Sequence, residues 1–98
     1  MKFMLFLVVS TPRPERPSTV AAMRRKYWTW LAPKLKSGAC RHVYARAGRG
    51  AVAVFDVRSN EELHAWLNEW AEIIPAEFSV YPLVDPAKAR AYLRKGRK

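Results

Sequence analysis

Two short segments of the chain carry a polar side chain at every second position. This spacing places the polar side chains of each segment on one face of a β-strand. The side chains are His42, Tyr44 and Arg46 in the first segment, and Glu77, Ser79 and Tyr81 in the second. Side chains at every second position of a strand lie on the same side of the sheet. If both strands belong to one sheet, these groups share a surface suited to acid/base chemistry on an anionic molecule.

His42 and Tyr44 are the predicted catalytic residues. An imidazole titrates near neutral pH and can take up or return a proton, and a phenol can donate to an oxygen on which negative charge develops. Arg46 is predicted to bind a substrate carboxylate. The other predicted substrate-binding residues are Ser79, Tyr81 and Glu77. Structural roles remain open: a strand-bonded histidine, tyrosines packed between subunits, and an arginine in a surface ion pair.

The order of elements predicted along the chain is β-α-β-β-α-β, followed by a short helix. The strands are predicted over 2–9, 39–47, 51–57 and 77–83. Three prolines make 10–17 a loop, and the first helix begins near Ser18 or Thr19. Pro33 kinks or ends that helix, and Gly38 caps it. Ser59 and Glu62 form a capping box that opens the second helix.

This order predicts a ferredoxin-like α+β fold with a four-stranded antiparallel sheet and two helices on one face. The length of 98 residues fits one domain over 1–98, in which 86–98 form a basic C-terminal helix and tail. A hairpin that turns at Gly48-Arg49 would pair His42 with Phe55 and Tyr44 with Ala53. In this register the second strand's polar face lies beside small residues. A second copy covering that face would close a ligand cavity.

Composition narrows the classes of function. The single cysteine excludes an internal disulfide, and no Cys/His cluster has zinc spacing, so no metal site is predicted. No stretch approaches the roughly 20 apolar residues that a membrane-spanning helix needs. These features favour a cytoplasmic protein without a membrane partner.

The formal net charge of +10 is unevenly distributed. Residues 1–50 hold eleven basic residues and one acid, residues 51–85 are acidic, and residues 86–98 hold six basic residues and no acid. This pattern is open to three interpretations: nucleic acid, an anionic ligand, or complementary patches between subunits. We interpret it as complementary charge between subunits together with a preference for an anionic ligand.

The stretch from Gly48 to Asp85 resembles the muconolactone isomerase family. The resemblance rests on the phrases Val54-Phe55-Asp56-Val57, Ser59-Asn60-Glu61-Glu62-Leu63-His64 and Tyr81-Pro82-Leu83, and on Gly38 with Arg41-His42 upstream. It implies a subunit that pairs into a dimeric α+β barrel and shifts a proton within a small lactone carrying a carboxylate. It also implies that no metal or organic cofactor is used.

The first helix departs from that family, which carries an acidic residue near the active site. Residues 22–37 contain no Asp or Glu. The resemblance therefore implies an isomerase-like relative with a different substrate, rather than the lactone isomerase itself. A cofactor-independent oxygenase or cyclase of the same barrel type is an alternative.

The same element order also occurs in RNA recognition motifs, which stack bases on aromatic side chains of the central strands. Here the corresponding stretch is Arg49-Gly50-Ala51-Val52-Ala53, and both stacking positions are alanine. The sequence therefore argues against a nucleic-acid partner of this kind. We expect a small-molecule substrate and a homodimer or higher homo-oligomer.

Overall fold

A computed structural model describes residues 4–96, which form four strands and three helices. The elements in chain order are β1 (Met4–Pro12), α1 (Ala21–Ser37), β2 (Cys40–Ala45), β3 (Ala51–Val57), α2 (Asn60–Ile73), β4 (Ala76–Leu83) and α3 (Pro86–Gly96). Lys2 and Phe3 of the predicted first strand, and Arg97 and Lys98 of the predicted tail, lie outside the described residues.

The four strands form one antiparallel sheet in the order β2-β3-β1-β4. This is the ferredoxin-like arrangement, and the predicted fold class is confirmed. One face of the sheet packs against α1 and α2, and the core between them includes Val8, Leu31, Phe55 and Trp70. Among the described residues, none of the helices has both the length and the apolar character needed to cross a bilayer.

β1 continues to Pro12, three residues beyond its predicted end. Ser10, Thr11 and Pro12 pair with β4, which runs alongside them after the pairing with β3 has ended at Val9. A proline is tolerated at a strand end because its missing N–H interrupts little of the hydrogen-bond ladder. The prediction that the proline-rich segment begins a loop at residue 10 was therefore wrong by three residues.

α1 begins at Ala21, later than predicted, because the residues before it form a hydrogen-bonded turn. The amides of Thr19 and Val20 donate to carbonyls three residues earlier, and no side chain caps the helix at Val20. The helix continues through Pro33 to Ser37, so the proline does not end it. Gly38 closes the helix with a φ of 89°, which confirms the predicted glycine cap.

The β2–β3 connection differs from the predicted tight turn and shifts the register by one residue. Ala45 pairs with Ala51, and the amide of Arg46 donates to the carbonyl of Gly50, which leaves three residues at the tip. A loop of three residues instead of two shifts β3 by one residue relative to β2. This shift changes the partner of each residue and moves each β3 side chain to the opposite face of the sheet from the predicted one. Ala53 and Phe55 are consequently fully buried beneath the helices. The prediction that they face the polar side was wrong.

The predicted capping box at the start of α2 is present in a modified form. The hydroxyl of Ser59 accepts a hydrogen bond from the amide of Glu62 at 3.1 Å. The carboxylate of Glu62 accepts from the amide of Arg58, one residue before the cap, at 2.8 Å. Both bonds satisfy backbone donors near the start of the helix, which fixes where α2 begins.

Candidate functional site: a cavity between the helices and the sheet

The sheet surface that α1 and α2 leave uncovered, called the open face here, carries five of the six predicted site residues. Its central strands contribute an aliphatic strip of Leu5, Leu7, Val9, Val52 and Val54, all half-buried. The predicted residues flank this strip on the outer strands: His42 and Tyr44 on β2, and Glu77, Ser79 and Tyr81 on β4. Tyr44 and Tyr81 are 68% and 52% exposed.

The strand order keeps the two polar groups of the open face apart. His42 pairs with Val54, Val54 with Leu7, and Leu7 with Tyr81, which makes one row across the sheet. Three inter-strand spacings of about 4.8 Å separate the ends of this row by about 14 Å. His42 and Tyr81 therefore do not act on the same atom within one subunit, although each remains available to a molecule lying on that face.

Arg46, the sixth predicted residue, lies just beyond the end of β2 and binds the neighbouring strand. One Nη donates to the carbonyl of Ser10 at 2.8 Å and to the hydroxyl of Thr11 at 3.1 Å. These contacts connect the β2–β3 loop to β1. In this position Arg46 supports the hairpin rather than presenting an unengaged guanidinium.

A cavity of about 400 Å³ lies on the opposite side of the sheet, between the first turns of α1, the end of β1 and the start of β3. We call it the helix-side cavity. Its walls combine apolar and aromatic side chains with three arginines, and among the described residues no Asp, Glu or His lines it. The lining residues that matter most are Arg24, Arg25, Arg49, Tyr27, Trp28 and Trp70.

The three arginines give the helix-side cavity a positive potential. Arg24 and Arg25 lie in the first turns of α1, whose first turn holds no acidic residue. The positive end of the helix dipole adds to their charge. Arg49 donates to the carbonyls of Glu15 and Arg13 at 2.7 and 3.0 Å, which holds the proline-rich segment near the cavity. Its Nε is buried and has no hydrogen-bond partner among the described residues.

Tyr27, another lining residue of the cavity, carries a second unpartnered donor. The residue is only 3% exposed, and its ring packs 4.7 Å from Trp70 and 5.2 Å from Trp28, measured between centroids. Its hydroxyl finds no partner in the described part of the chain, although a buried tyrosine hydroxyl usually has one. Burial, and secondarily the nearby Cys40 thiol, raises the pKa of Tyr27, so the phenol is neutral and can donate a hydrogen bond.

Cys40 lies in the core beneath α1, and its thiol is protonated at neutral pH. Burial raises the pKa of its thiol to about 11, against smaller lowering effects of the His42 backbone and Lys34. The thiol donates to the carbonyl of His42 at 3.4 Å. Within the described residues, no three His, Cys, Asp or Glu side chains gather as metal ligands would.

The residues of the helix-side cavity were not among the predicted site residues. Tyr27 lies at helical spacing from Met23 and Leu31, a pattern that indicates core packing rather than a binding site. One signal in the sequence could have identified the site. A tyrosine on a buried stripe brings a hydroxyl that needs a partner, and here it is preceded by Arg24 and Arg25 with no acid nearby.

A family model described as a domain of unknown function, DUF3303, matches residues 4–97. No curated protein matches the chain. Because the family model spans nearly the whole chain, including both helices that border the cavity, this protein belongs to the DUF3303 family.

Proposed function

We propose that this protein binds a small organic anion with a largely apolar body in the helix-side cavity. The observation that carries the proposal is a pair of buried hydrogen-bond donors without partners, the hydroxyl of Tyr27 and the Nε of Arg49, which belong to two residues that line one cavity. A buried donor left unsatisfied costs about 1–3 kcal/mol, and a ligand oxygen that accepts from it removes this cost.

The composition of the walls supports a ligand that is both anionic and aromatic or aliphatic. Trp28 and Trp70 offer flat apolar surface, and Arg24 and Arg25 offer charge for a carboxylate or a similar anion. Pockets that bind small molecules typically combine an apolar wall with a few polar groups that set the ligand's orientation. The volume of about 400 Å³ lies within the usual range for such pockets.

Isomerase-like proton transfer is the second candidate function, and the neutral phenol of Tyr27 favours it. As a carbon-bound proton leaves a substrate, charge develops on a conjugated oxygen, and a buried phenol can stabilise that charge by donating to it. The resemblance to muconolactone isomerases supports the same chemistry. The lining offers no carboxylate or imidazole as a base among the described residues, so ligand binding is the primary proposal. Cofactor-independent oxygenase or cyclase chemistry would also need a base.

We also propose that two copies pair through their open faces. The aliphatic strip and the exposed rings of Tyr44 and Tyr81 form a surface that pairing would remove from water. The same surface is unlike an RNA-binding sheet, because Leu7, Val9 and Val52 occupy its centre where base-stacking aromatics would stand. The cytoplasmic location favoured by composition stays a prediction.

The binding proposal is tested with 2-naphthoate and the neutral analogue 2-naphthalenemethanol, followed by quenching of tryptophan fluorescence. We expect the carboxylate to bind at least tenfold more tightly than the alcohol. Arg25→Gln should weaken its binding about tenfold, equivalent to about 1.4 kcal/mol. Lys36→Gln is the matched control, because it removes one positive charge from the far end of α1. Equal affinities for the two compounds, or an equal loss in both variants, would overturn the proposal.

The second candidate is tested by following a carboxylate-bearing unsaturated γ-lactone in D2O by proton NMR. We expect the protein to accelerate exchange of the carbon-bound proton next to the lactone carbonyl, and Tyr27→Phe to remove most of this acceleration. Exchange at the rate of buffer alone would exclude the proton-transfer candidate for this lactone class and leave the binding proposal standing.

A further inference from the structure

α3 exposes an apolar stripe that its own subunit leaves uncovered. The helix is capped by Asp85, whose carboxylate accepts from the amide of Ala87 at 2.9 Å. Tyr92 and Leu93 on the helix, and Val84 just before it, are 73%, 64% and 69% exposed. An isolated helix of 11 residues is marginally stable in water. A surface that covered this stripe would stabilise the helix.

A groove on the open face, at the end where β4 leads into α3, has the complementary character. It encloses about 500 Å³, and we call it the Asp56 groove. Its apolar wall includes Leu5, Leu83 and Val84, and its charged residues include Arg41, Asp56 and Lys88.

Asp56 forms an ion pair with Arg41 through only one of its two carboxylate oxygens. Arg41 donates to Oδ2 of Asp56 through Nη2 at 2.8 Å and through Nε at 3.1 Å. The Asp56 side chain is only 12% exposed. Its Oδ1 is buried and accepts no hydrogen bond from the described residues. Buried carboxylate oxygens normally accept at least one hydrogen bond, and a cationic donor forms the strongest one.

The subunit's own α3 does not fill the Asp56 groove. Lys88, in the first turn of the helix, lines the groove, but Tyr92 and Leu93 do not. Those two residues border a separate concavity together with Val84 and Ala89. The remainder of the helix is therefore available to a second molecule, and the groove is available to a helix from elsewhere.

We infer that the Asp56 groove holds α3 of a second copy of this chain. The stripe of Ala89, Tyr92 and Leu93 packs on the apolar wall, and an arginine that borders the stripe, Arg90 or Arg94, donates to the Asp56 carboxylate after a side-chain rotation that exposes Oδ1. The groove holds two acids, Asp56 and Asp85, beside the bases Arg41 and Lys88, and the exposed part of α3 contributes Arg90 and Arg94 and no acidic residue that would repel the two acids. In a two-fold dimer each copy lends its helix to the other. This inference rests on the proposed pairing of open faces.

Polyanionic binding partners for α3 fit the structure less well than a second copy of the chain does. An anionic membrane surface or a nucleic acid would attract the basic residues of the helix. Neither would supply a cationic donor to a buried carboxylate in an apolar groove, and Asp56 would repel both. A second copy of the chain covers the apolar stripe, fills the groove and supplies a cationic donor to Asp56.

Photo-crosslinking tests the position of α3 directly. Tyr92 is replaced by p-benzoylphenylalanine, and a 1:1 mixture of ¹⁴N- and ¹⁵N-labelled full chains is irradiated and analysed by mass spectrometry. We expect mixed-isotope crosslinks to peptides that contain Leu5 or Leu83. The same probe at Ala65, on the exposed surface of α2, is the control and should not crosslink to these peptides. Crosslinks from position 92 only within one chain, or only to α2, would overturn the inference.

Sedimentation equilibrium separates this inference from the pairing on which it rests. We expect the double variant Arg90→Glu/Arg94→Glu and the single variant Asp56→Asn each to weaken dimerisation at least tenfold. Glu72→Gln, which removes an exposed acid from α2 on the other side of the sheet, should leave it unchanged. A monomeric full chain would overturn both the pairing and the helix exchange. A dimer unaffected by these variants would overturn the exchange alone, as would variants that lose only binding to phosphatidylserine vesicles or to DNA.

Discussion

The hydroxyl of Ser10 replaces the backbone of β1 as the hydrogen-bonding partner of Ala51. It accepts from the amide of Ala51 at 2.9 Å and donates to the carbonyl of the same residue at 3.2 Å. Backbone pairing between β1 and β3 ends one position earlier, at Val9 and Val52. Ser10 is 3% exposed and lines the helix-side cavity. One side chain thus completes the sheet at the point where the cavity begins.

Ser10→Ala should therefore lower the free energy of unfolding by about 1–3 kcal/mol, because it leaves a buried backbone N–H and C=O without partners. Urea denaturation monitored by circular dichroism measures the loss. Ser18→Ala changes an exposed serine in the turn before α1 and should alter stability by less than about 0.5 kcal/mol. Equal stability of Ser10→Ala and the parent would show that water replaces the hydroxyl at no cost.

The two glycines of the β2–β3 loop should differ in their tolerance of a methyl group. Both have positive φ, 97° at Gly48 and 93° at Gly50, so alanine costs backbone strain of about 1 kcal/mol at either position. A Cβ at Gly48 meets open space, whereas a Cβ at Gly50 collides with the carbonyl oxygen of Ser10. Gly50→Ala should lower the thermal unfolding midpoint several degrees more than Gly48→Ala does. Equal midpoints would contradict the close approach of the loop to β1.

Tyr27→Phe should separate stability from ligand binding. Removing a buried hydroxyl that has no partner should leave the free energy of unfolding unchanged or raise it by up to about 1 kcal/mol. The same change should weaken 2-naphthoate binding about threefold to tenfold, because a donor to the ligand is lost. Tyr44→Phe, on the open face, should affect neither quantity. A marked loss of stability in Tyr27→Phe would indicate that the hydroxyl has a structural partner.

Stability should fall at high pH through Cys40. The folded-state pKa of its thiol is about 11, against 9.0 in the unfolded chain. Below pH 9 the thiol is protonated in both states, and between pH 9 and 11 only the unfolded state loses the proton. Deprotonation therefore favours unfolding in this window, and stability decreases as the pH rises through it.

Cys40→Ala should flatten this pH dependence while costing about 1 kcal/mol at pH 7 for the small volume it removes from the core. Urea titrations at pH 7, 9 and 11 compare the variant with the parent. The raised pKa of Tyr27 acts in the same direction at still higher pH in both proteins, so the difference between them isolates the thiol. Parallel curves would mean that the thiol titrates normally in the folded state.

The secondary structure follows from local chemistry and was predictable for that reason. Gly38 ends α1 because a left-handed residue closes a helix with little strain, and Ser59 begins α2 because its hydroxyl satisfies a free amide. The alternation in β2 and β4 likewise placed His42 and Tyr81 on the same face of the sheet. Each of these features depends on residues a few positions apart.

The β2–β3 register and the position of the site depend on contacts that no local pattern records. One additional loop residue moved Phe55 from the predicted open face into the core. The strand order placed β3 and β1 between His42 and Tyr81, and so separated residues that share a face. Tyr27 and Arg49, 22 positions apart in sequence, line one cavity only because the first turns of α1 lie near the β2–β3 loop in the folded chain.

The order of elements, the ferredoxin-like class and the excess of positive charge follow directly from the sequence, because these features arise from periodicity, caps and composition. The arrangement of the predicted polar residues beside an aliphatic strip depends on the packed fold. The packed fold also decides that an arginine-lined cavity lies on the helix side, and that one oxygen of Asp56 is buried without a donor. The physical reason is that burial and hydrogen-bond satisfaction are properties of packed surfaces, and packing unites residues from distant segments of the chain.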